Sequence, residues 1–234
     1  MSIELLSLTE NVVNYIREKI ITGEFKSGLK LNEVVVSSSL NISRPPLREA
    51  LRILEHEKLV VNISRKGTYV TKITKENLED VYQTREMIEC FAIDLFKAKN
   101  IKDFSKIEHA IGHTGEINQK NRIDSLKILN EFHVRLVESA GNIFLKHFYS
   151  AIHSNLVRYQ FLFFDRIMQF SPEDHKKIYR CLLEGKFEES KDLLRSHIRK
   201  FLPLLEIKDD GRITSSEPND LLASTSSIFD KRLL

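Results

Sequence analysis

The stretch Ser43-Arg44-Pro45-Pro46-Leu47-Arg48-Glu49-Ala50-Leu51 reads as the opening of a helix that carries two cations on one side. Ser43 stands where an N-cap is needed, and Pro45 and Pro46 fall in the first turn, where a missing N–H costs little. Leu47, Ala50, Leu51 and Leu54 recur at the spacing of one buried face and carry the helix to about residue 57. Arg44 and Arg48 are four residues apart, so both project from the exposed side near the N-terminal end.

Working outward, Val12, Val13, Ile16, Ile20 and Ile21 mark one face of a helix over about 9–22, with Thr9 as its N-cap and Gly23 as its stop. A second helix spans Asn32 to about Ser39. Its Val34-Val35-Val36 run is a poor helix former and needs tertiary support. Leu40-Asn41-Ile42 turns the chain into the third helix. Beyond it, Leu59-Val60-Val61-Asn62-Ile63 and Thr68-Tyr69-Val70-Thr71 are β-type runs. They are joined by Ser64-Arg65-Lys66-Gly67, a turn with two cations at its tip. Three helices and a basic-tipped hairpin predict a winged helix-turn-helix over residues 1–73.

The whole chain has 234 residues, 41% hydrophobic and 29% charged. That mixture excludes a collagen-like, mucin-like or wholly disordered protein. No apolar run approaches the ~18 residues of a membrane span, and Met1-Ser2-Ile3-Glu4 does not open a secretion signal. Two cysteines, Cys90 and Cys181, are too few for a disulfide framework. A cytoplasmic protein with reduced thiols and no membrane partner is expected. Residues through Lys72 hold 11 basic and 8 acidic side chains, and the remainder holds 25 of each. The positive surplus of the first third points to an anionic partner for that module.

From Lys75 the pattern turns helical, with helices expected at about 75–98, 103–119, 123–140, 143–169, 172–184 and 187–205. The fourth is broken near Ser154, and Gly141-Asn142, Ser171-Pro172 and Gly185 separate others. Residues 74–206 are read as an all-α antiparallel bundle without strands, so the fold class is mainly α. Residues 207–234, with Asp209-Asp210-Gly211 and several serines, are read as a flexible tail.

The cations of the third helix fit double-stranded DNA. A helix N-terminus entering the major groove sets its first side chains against base edges. Guanidinium groups there grip guanine bidentately or clamp phosphates, and the helix end adds backbone N–H groups. Arg65 and Lys66 at the wing tip meet the adjacent backbone or the minor groove. The alternative is that Arg44 and Arg48 form surface pairs with Glu49 or Glu55, the preferred reading for arginines standing alone. The turn, the wing and the helix together favour DNA.

At these residues the sequence resembles the GntR-type winged-helix transcription regulators. The likeness runs from Ile20-Ile21-Thr22-Gly23-Glu24-Phe25 through Gly28-Leu29-Lys30-Leu31-Asn32-Glu33 and Ser43–Leu51 to Arg65-Lys66-Gly67-Thr68-Tyr69-Val70. The resemblance implies Arg44 and Arg48 as main DNA contacts, with Ser43, Pro45, Arg65 and Lys66 beside them and Gly67 letting the wing approach the groove. Two departures stand out. Val34 replaces a frequent arginine, and Pro45 replaces a frequent threonine, so operator sequence does not transfer from relatives.

The second module resembles the ligand-sensing FCD domain of the FadR-type subgroup. Tyr82-Gln83-Thr84-Arg85-Glu86-Met87-Ile88-Glu89, Phe132-His133-Val134-Arg135-Leu136, Asp174-His175-Lys176-Lys177-Ile178-Tyr179 and Ser196-His197-Ile198 carry the likeness. It implies a small-molecule pocket within the bundle and a homodimer on a palindromic operator. It also implies a divalent metal of the Zn or Ni type on one Asp and three His. His133, His175 and His197 occupy the histidine positions, the Asp position is Leu129, and Asn130 is a substitute oxygen donor. Histidines bonded within the core are the alternative. His109, His113, His147 and His153 are read as surface or structural. Arg85 either receives a carboxylate effector or pairs with Glu89, one helical turn on. Tyr159-Gln160-Phe161-Leu162-Phe163-Phe164 is read as a helix buried nearly all round.

Three functions compete: an effector-controlled transcription regulator, such as a repressor; a metal-dependent enzyme on the three histidines; and a DNA-binding protein with a vestigial pocket. No nucleophile motif, phosphate loop or paired carboxylate accompanies the histidines. The first function, and no enzyme, is expected.

Overall fold

The computed structural model describes residues 7–118, 120–200, 206–207 and 213–214. They form two compact units, one drawn from Met1–Thr74 and Leu205–Leu234 and the other from Lys75–Leu204.

In the first unit, helices α1 (Leu8–Ile21), α2 (Glu33–Ser39) and α3 (Arg44–His56) pack with strands β1 (Lys30–Leu31), β2 (Val60–Ile63) and β3 (Gly67–Val70). The strands run antiparallel in the order β1-β3-β2, with Val61 opposite Tyr69 and Leu31 opposite Thr68. Strand β1 is too short to show as a period in the sequence; pairing with β3 creates it. The N-cap of α1 is Ser7 rather than Thr9. Ser7 and Glu10 each bond the other's backbone N–H, a reciprocal box that Thr9, already inside the helix, cannot make. The three helices bury Ile16, Ile20, Leu47, Leu54 and Leu59, each at most 1% exposed. Arg17 of α1 clamps Glu57, just past the end of α3, through two bonds of 3.0 and 2.5 Å.

The second unit holds α4 (Lys75–Ala98), α5 (Ser105–Gly112), a 3-10 turn (His113–Glu116), α6 (Arg122–Ser139), α7 (Ile143–Leu162), α8 (Phe164–Leu183) and α9 (Phe187–Arg199). Three expected boundaries are wrong. The helix expected over 103–119 ends at Gly112 and passes into the 3-10 turn. Helix α7 runs unbroken through Ser154 and ends at Phe163, whose φ of −117° and ψ of 25° leave the helical region. The aromatic run from Tyr159 to Phe164 is therefore split between two helices. Helix α8 in turn continues through Ser171-Pro172. An interior proline costs ~3 kcal/mol, but the half-buried Pro172 adjoins a stripe formed by Phe164, Ile167, Ser171, His175, Ile178 and Leu182, all buried. Packing on both sides of Pro172 holds the helix across it.

Strands β4 (Glu206–Ile207) and β5 (Ile213–Thr214) pair antiparallel, where no strand was expected. The remaining positions of the expected tail, and the expected last turn of α9 beyond residue 200, lie outside the described residues.

Leu54, fully buried beneath α1, is the sharpest test of the first core. Leu54→Ala should cost ~2–5 kcal/mol, read as faster amide exchange across α1 and α3.

Candidate functional site

Helix α3 presents an unusual N-terminus. A capping hydroxyl normally accepts from the second or third helical N–H. Here those positions are Pro45 and Pro46, and Ser43 makes no capping bond although it sits at the N-cap with φ −74° and ψ 162°. The expected cap is thus absent because its donors are absent. The same prolines remove amides that would otherwise face an anion, leaving the Ser43 hydroxyl and the exposed Arg44 and Arg48 as the polar groups of this helix end. Arg48 does not pair with Glu49 or Glu55. Its Nε donates to Glu33 Oε2 of α2 at 2.7 Å while its side chain stays 62% exposed. Glu49 faces Arg52, and Glu55 accepts from the Asn62 backbone N–H.

At the wing, Lys66 N–H bonds Ile63 C=O at 2.9 Å, closing the turn that exposes Arg65 and Lys66. Gly67 has φ +101°, a region L side chains rarely adopt, so the tip needs glycine there. Val34, where an arginine is frequent in the resembling family, is 49% exposed.

In the second unit, His133 of α6, His175 of α8 and His197 of α9 meet in the core, each at most 2% exposed. One ligand atom from each lies within 4.8 Å of the others. His133 Nδ1 lies 2.8 Å from Glu89 Oε2, and His197 Nδ1 lies 3.2 Å from Asp174 Oδ2. Carboxylates on Nδ1 leave Nε2 of each ring for an ion, the arrangement that orients metal-bound imidazoles. His175 and His197 face each other through Nε2 at 3.3 Å. Two nitrogens at about 2.0–2.1 Å from one tetrahedral ion stand about that far apart. His175 Nδ1 is buried without a partner.

Burial holds His133 and His175 well below the usual imidazole value of 6.5, with Arg85 contributing in the same direction. His197 is lowered by burial despite its bond to Asp174, which opposes the shift. All three rings are therefore neutral near pH 7, as ligation requires. Burial alone would raise Asp174, but bonds from His197 and Lys200 bring it down to about 2.

Arg85 and Glu89 on α4 are both fully buried. Arg85 Nε donates to Glu89 Oε1 at 2.8 Å, so Glu89 bridges Arg85 to His133. Burial works against the Arg85 charge, and Glu89 more than restores it. The pair within one helix is thus formed, yet it uses only Nε: Arg85 Nη1 and Nη2 are buried with no partner. Tyr149 of α7 brings another buried hydroxyl, its pKa pushed up by burial and then by the Glu89 charge. Leu129 is buried one turn before His133. Asn130 gives its amide nitrogen to Leu126 C=O and Gln160 Oε1, at 2.8 and 2.6 Å.

Sequence reasoning missed Glu89 and Asp174 as supports of the histidines and placed His153 outside the site. His153 lies near enough to lower the His133 pKa. The signal was present: Tyr149, His153 and Gln160 share one face of α7. His109 and His147 are exposed, and His113 is half-buried against Glu116. A separate cleft of about 390 Å³ lies on α4 and α9, lined by Glu86, Met87, Arg195 and Arg199 among others, and includes none of the three histidines.

Comparison with known proteins places these geometries. The profile of the bacterial regulatory proteins of the gntR family matches residues 8–70, and that of the FCD domain matches residues 80–200. The Nta operon transcriptional regulator of Aminobacter aminovorans is 28% identical over 189 residues, 80% of this chain and 90% of its own length. The HTH-type transcriptional repressor GlaR of Escherichia coli K12 is 23% identical over 206 residues, 82% of this chain and 93% of its own. The crystal structure of a transcriptional regulator GntR from Rhodococcus sp. RHA1 matches with a TM-score of 0.71 at 22% identity, covering 85% of this chain and 97% of its own, a likeness of fold.

The histidine cluster sets a pH dependence. The unfolded chain takes up protons on these rings near 6.5, whereas the folded chain resists them until well below that value. Metal-free stability should therefore be complete above about pH 6.5 and fall as pH drops below it, by up to ~1.4 kcal/mol per histidine per pH unit. Urea unfolding over that range checks this; stability flat with pH there contradicts neutral burial.

Proposed function

We propose, for a chain that belongs to the gntR family of bacterial regulatory proteins and carries an FCD domain, that a small carboxylate effector and a divalent ion in the second unit control DNA binding by the first. The chain is a DNA-binding transcription regulator and not an enzyme, as its family and relatives are. What carries the effector reading is Arg85: a fully buried guanidinium with two unpaired nitrogens, linked through Glu89 to His133 of the histidine cluster. Buried donors left unmade cost ~1–3 kcal/mol each. A carboxylate answers that deficit with the fork geometry a guanidinium prefers. A purely vestigial pocket offers no reason for polar groups to persist there in this state.

His133, His175 and His197 are the proposed metal ligands, with Glu89 and Asp174 orienting them. The ion would supply a positive centre for an anionic ligand. Ser43, Arg44, Pro45 and Arg48 form the proposed recognition edge, with Arg65, Lys66 and Gly67 forming the wing contact. Repression is the proposed mode, as GlaR is a repressor by name. A homodimer joined through the helical unit is proposed to read a palindrome, one winged helix per half-site. Ile143, Phe144 and Phe148 at the start of α7, 77%, 72% and 59% exposed, support such a contact. Among the described residues no helix is long and apolar enough to cross a membrane.

Thermal-shift screening of small carboxylic acids, with and without divalent metal, tests the effector reading, because a ligand specific to the folded chain raises its melting temperature. On operator DNA, Arg44→Ala and Arg48→Ala should each lose ~1–3 kcal/mol of specific binding, whereas Lys66→Ala should weaken all sequences about equally. Anisotropy titrations read both, and unchanged affinity in all three variants removes α3 and the wing as the interface. His175→Ala should abolish stoichiometric zinc or nickel uptake, measured by metal analysis after dialysis; full retention would exclude the histidine site.

A further inference from the structure

We propose that His109 and His113 form a second, exposed chelate for a late first-row divalent ion of the copper or zinc type, separate from the buried group of three. Their Nε2 atoms lie 3.2 Å apart. Two nitrogens at about 2.05 Å from one ion stand about 2.9 Å apart at a right angle and about 3.3 Å apart at the tetrahedral angle. The observed gap falls between these values, so one ion spans both rings with almost no movement. His113 is already turned for this role. Its Nδ1 lies 2.6 Å from Glu116 Oε1. A carboxylate only accepts, so Nδ1 carries the proton and Nε2 of the neutral ring presents its lone pair to His109.

The pair comes from the backbone path at the end of α5. His109 lies in the last turn of that helix, and His113 is its C-cap with φ −77° and ψ −6°. Gly112, with φ −57° and ψ −33°, carries the helical path between them. Side chains four apart therefore stand on one face. The carbonyl end of a helix attracts positive charge, and Glu116 adds a carboxylate that is 65% exposed. His109 is exposed and His113 half-buried, so an ion reaches both without opening the core. In the absence of an ion, one proton is shared between the two Nε2 atoms. An ion replaces that proton and keeps further positions for water. Nitrogen donors of this kind rank copper above nickel and zinc.

The structural effect of such an ion is local. Helix α5 has only eight residues, and short helices are marginal by themselves. A β-carbon at Gly112 or Gly115 would meet nothing within 4 Å, so these glycines loosen the segment without a packing need. An ion on residues 109 and 113 closes one turn across Gly112 and fixes the passage from α5 into the 3-10 turn.

Retention of the full-length protein on a copper-charged iminodiacetate column tests the chelate, because an ion fixed to a resin reaches exposed rings and not the buried three. The imidazole concentration that elutes the protein is the measured quantity. His109→Ala and His113→Ala should each lower copper affinity by roughly tenfold or more, since either change turns two-point attachment into one-point attachment. The double variant should fall little further, whereas rings acting singly would give additive losses. His147→Ala, which removes another exposed imidazole, should change retention little. Thermal melts confirm that each variant folds. In solution, zinc should slow amide exchange over residues 110–116 of the natural protein and not of His113→Ala. Unchanged retention in both single variants overturns the site, and so do additive losses in the double variant. Exchange at 110–116 that zinc leaves unaltered in the natural protein, or slows equally in His113→Ala, overturns the cross-link across Gly112.

Discussion

The interior of the second unit is organised by one hydrogen-bonded chain, Arg85–Glu89–His133, in which no side chain is more than 2% exposed. A carboxylate so deeply buried is tolerated only with both oxygens engaged. Glu89 meets that demand with one oxygen on Arg85 and the other on His133. Everything else in the site follows from this constraint. The His133 ring is held by Nδ1, so its Nε2 is directed toward the other rings. The guanidinium is held by Nε, so its two outer nitrogens are left over. Helix α4 is tied to α6 at the depth where α8 and α9 bring His175 and His197.

The two units handle charge in opposite ways. In the first, the core is aliphatic and the cations stay in water, where they are available to phosphate and bases. Arg48 illustrates this: its contact with Glu33 leaves it 62% exposed, so the pair is screened by solvent and weak. In the second, ionisable groups are drawn into the core and left partly unsatisfied. The winged helix thus keeps its cations at the surface, while the bundle keeps an incompletely paired polar interior.

The prolines of α3 show how a local rule shapes function. Pro45 and Pro46 are compatible with a first helical turn, yet they remove the amides that a capping serine needs. Ser43 is left uncapped at the surface beside Arg44. The polar groups this helix end offers are thereby side chains rather than backbone amides.

Much of this was legible in the residues. Apolar spacing in α1 and α3, the Arg65-Lys66-Gly67 tip and the six helices of the second unit are periodic or turn signals, and such signals are local. Arg44 and Arg48 stood out by their spacing at the start of a helix that a turn and a basic wing accompany, whereas His133, His175 and His197, on three separate helices, were singled out by resemblance to the FCD domain. What the sequence could not decide were matters of pairing between distant segments. Strand β1 exists only because β3 lies beside it, and Pro172 stays helical only because its helix is packed on both sides. Whether Arg85 served Glu89 or a ligand was undecidable from an i,i+4 spacing; the fold uses one nitrogen for Glu89 and buries the other two. Glu89 and Asp174 became supports of the histidines through bonds spanning 44 and 23 residues. Periodicity reports which face of an element is buried, but the free energy of a buried charge depends on which partner meets it there, and only tertiary packing sets that.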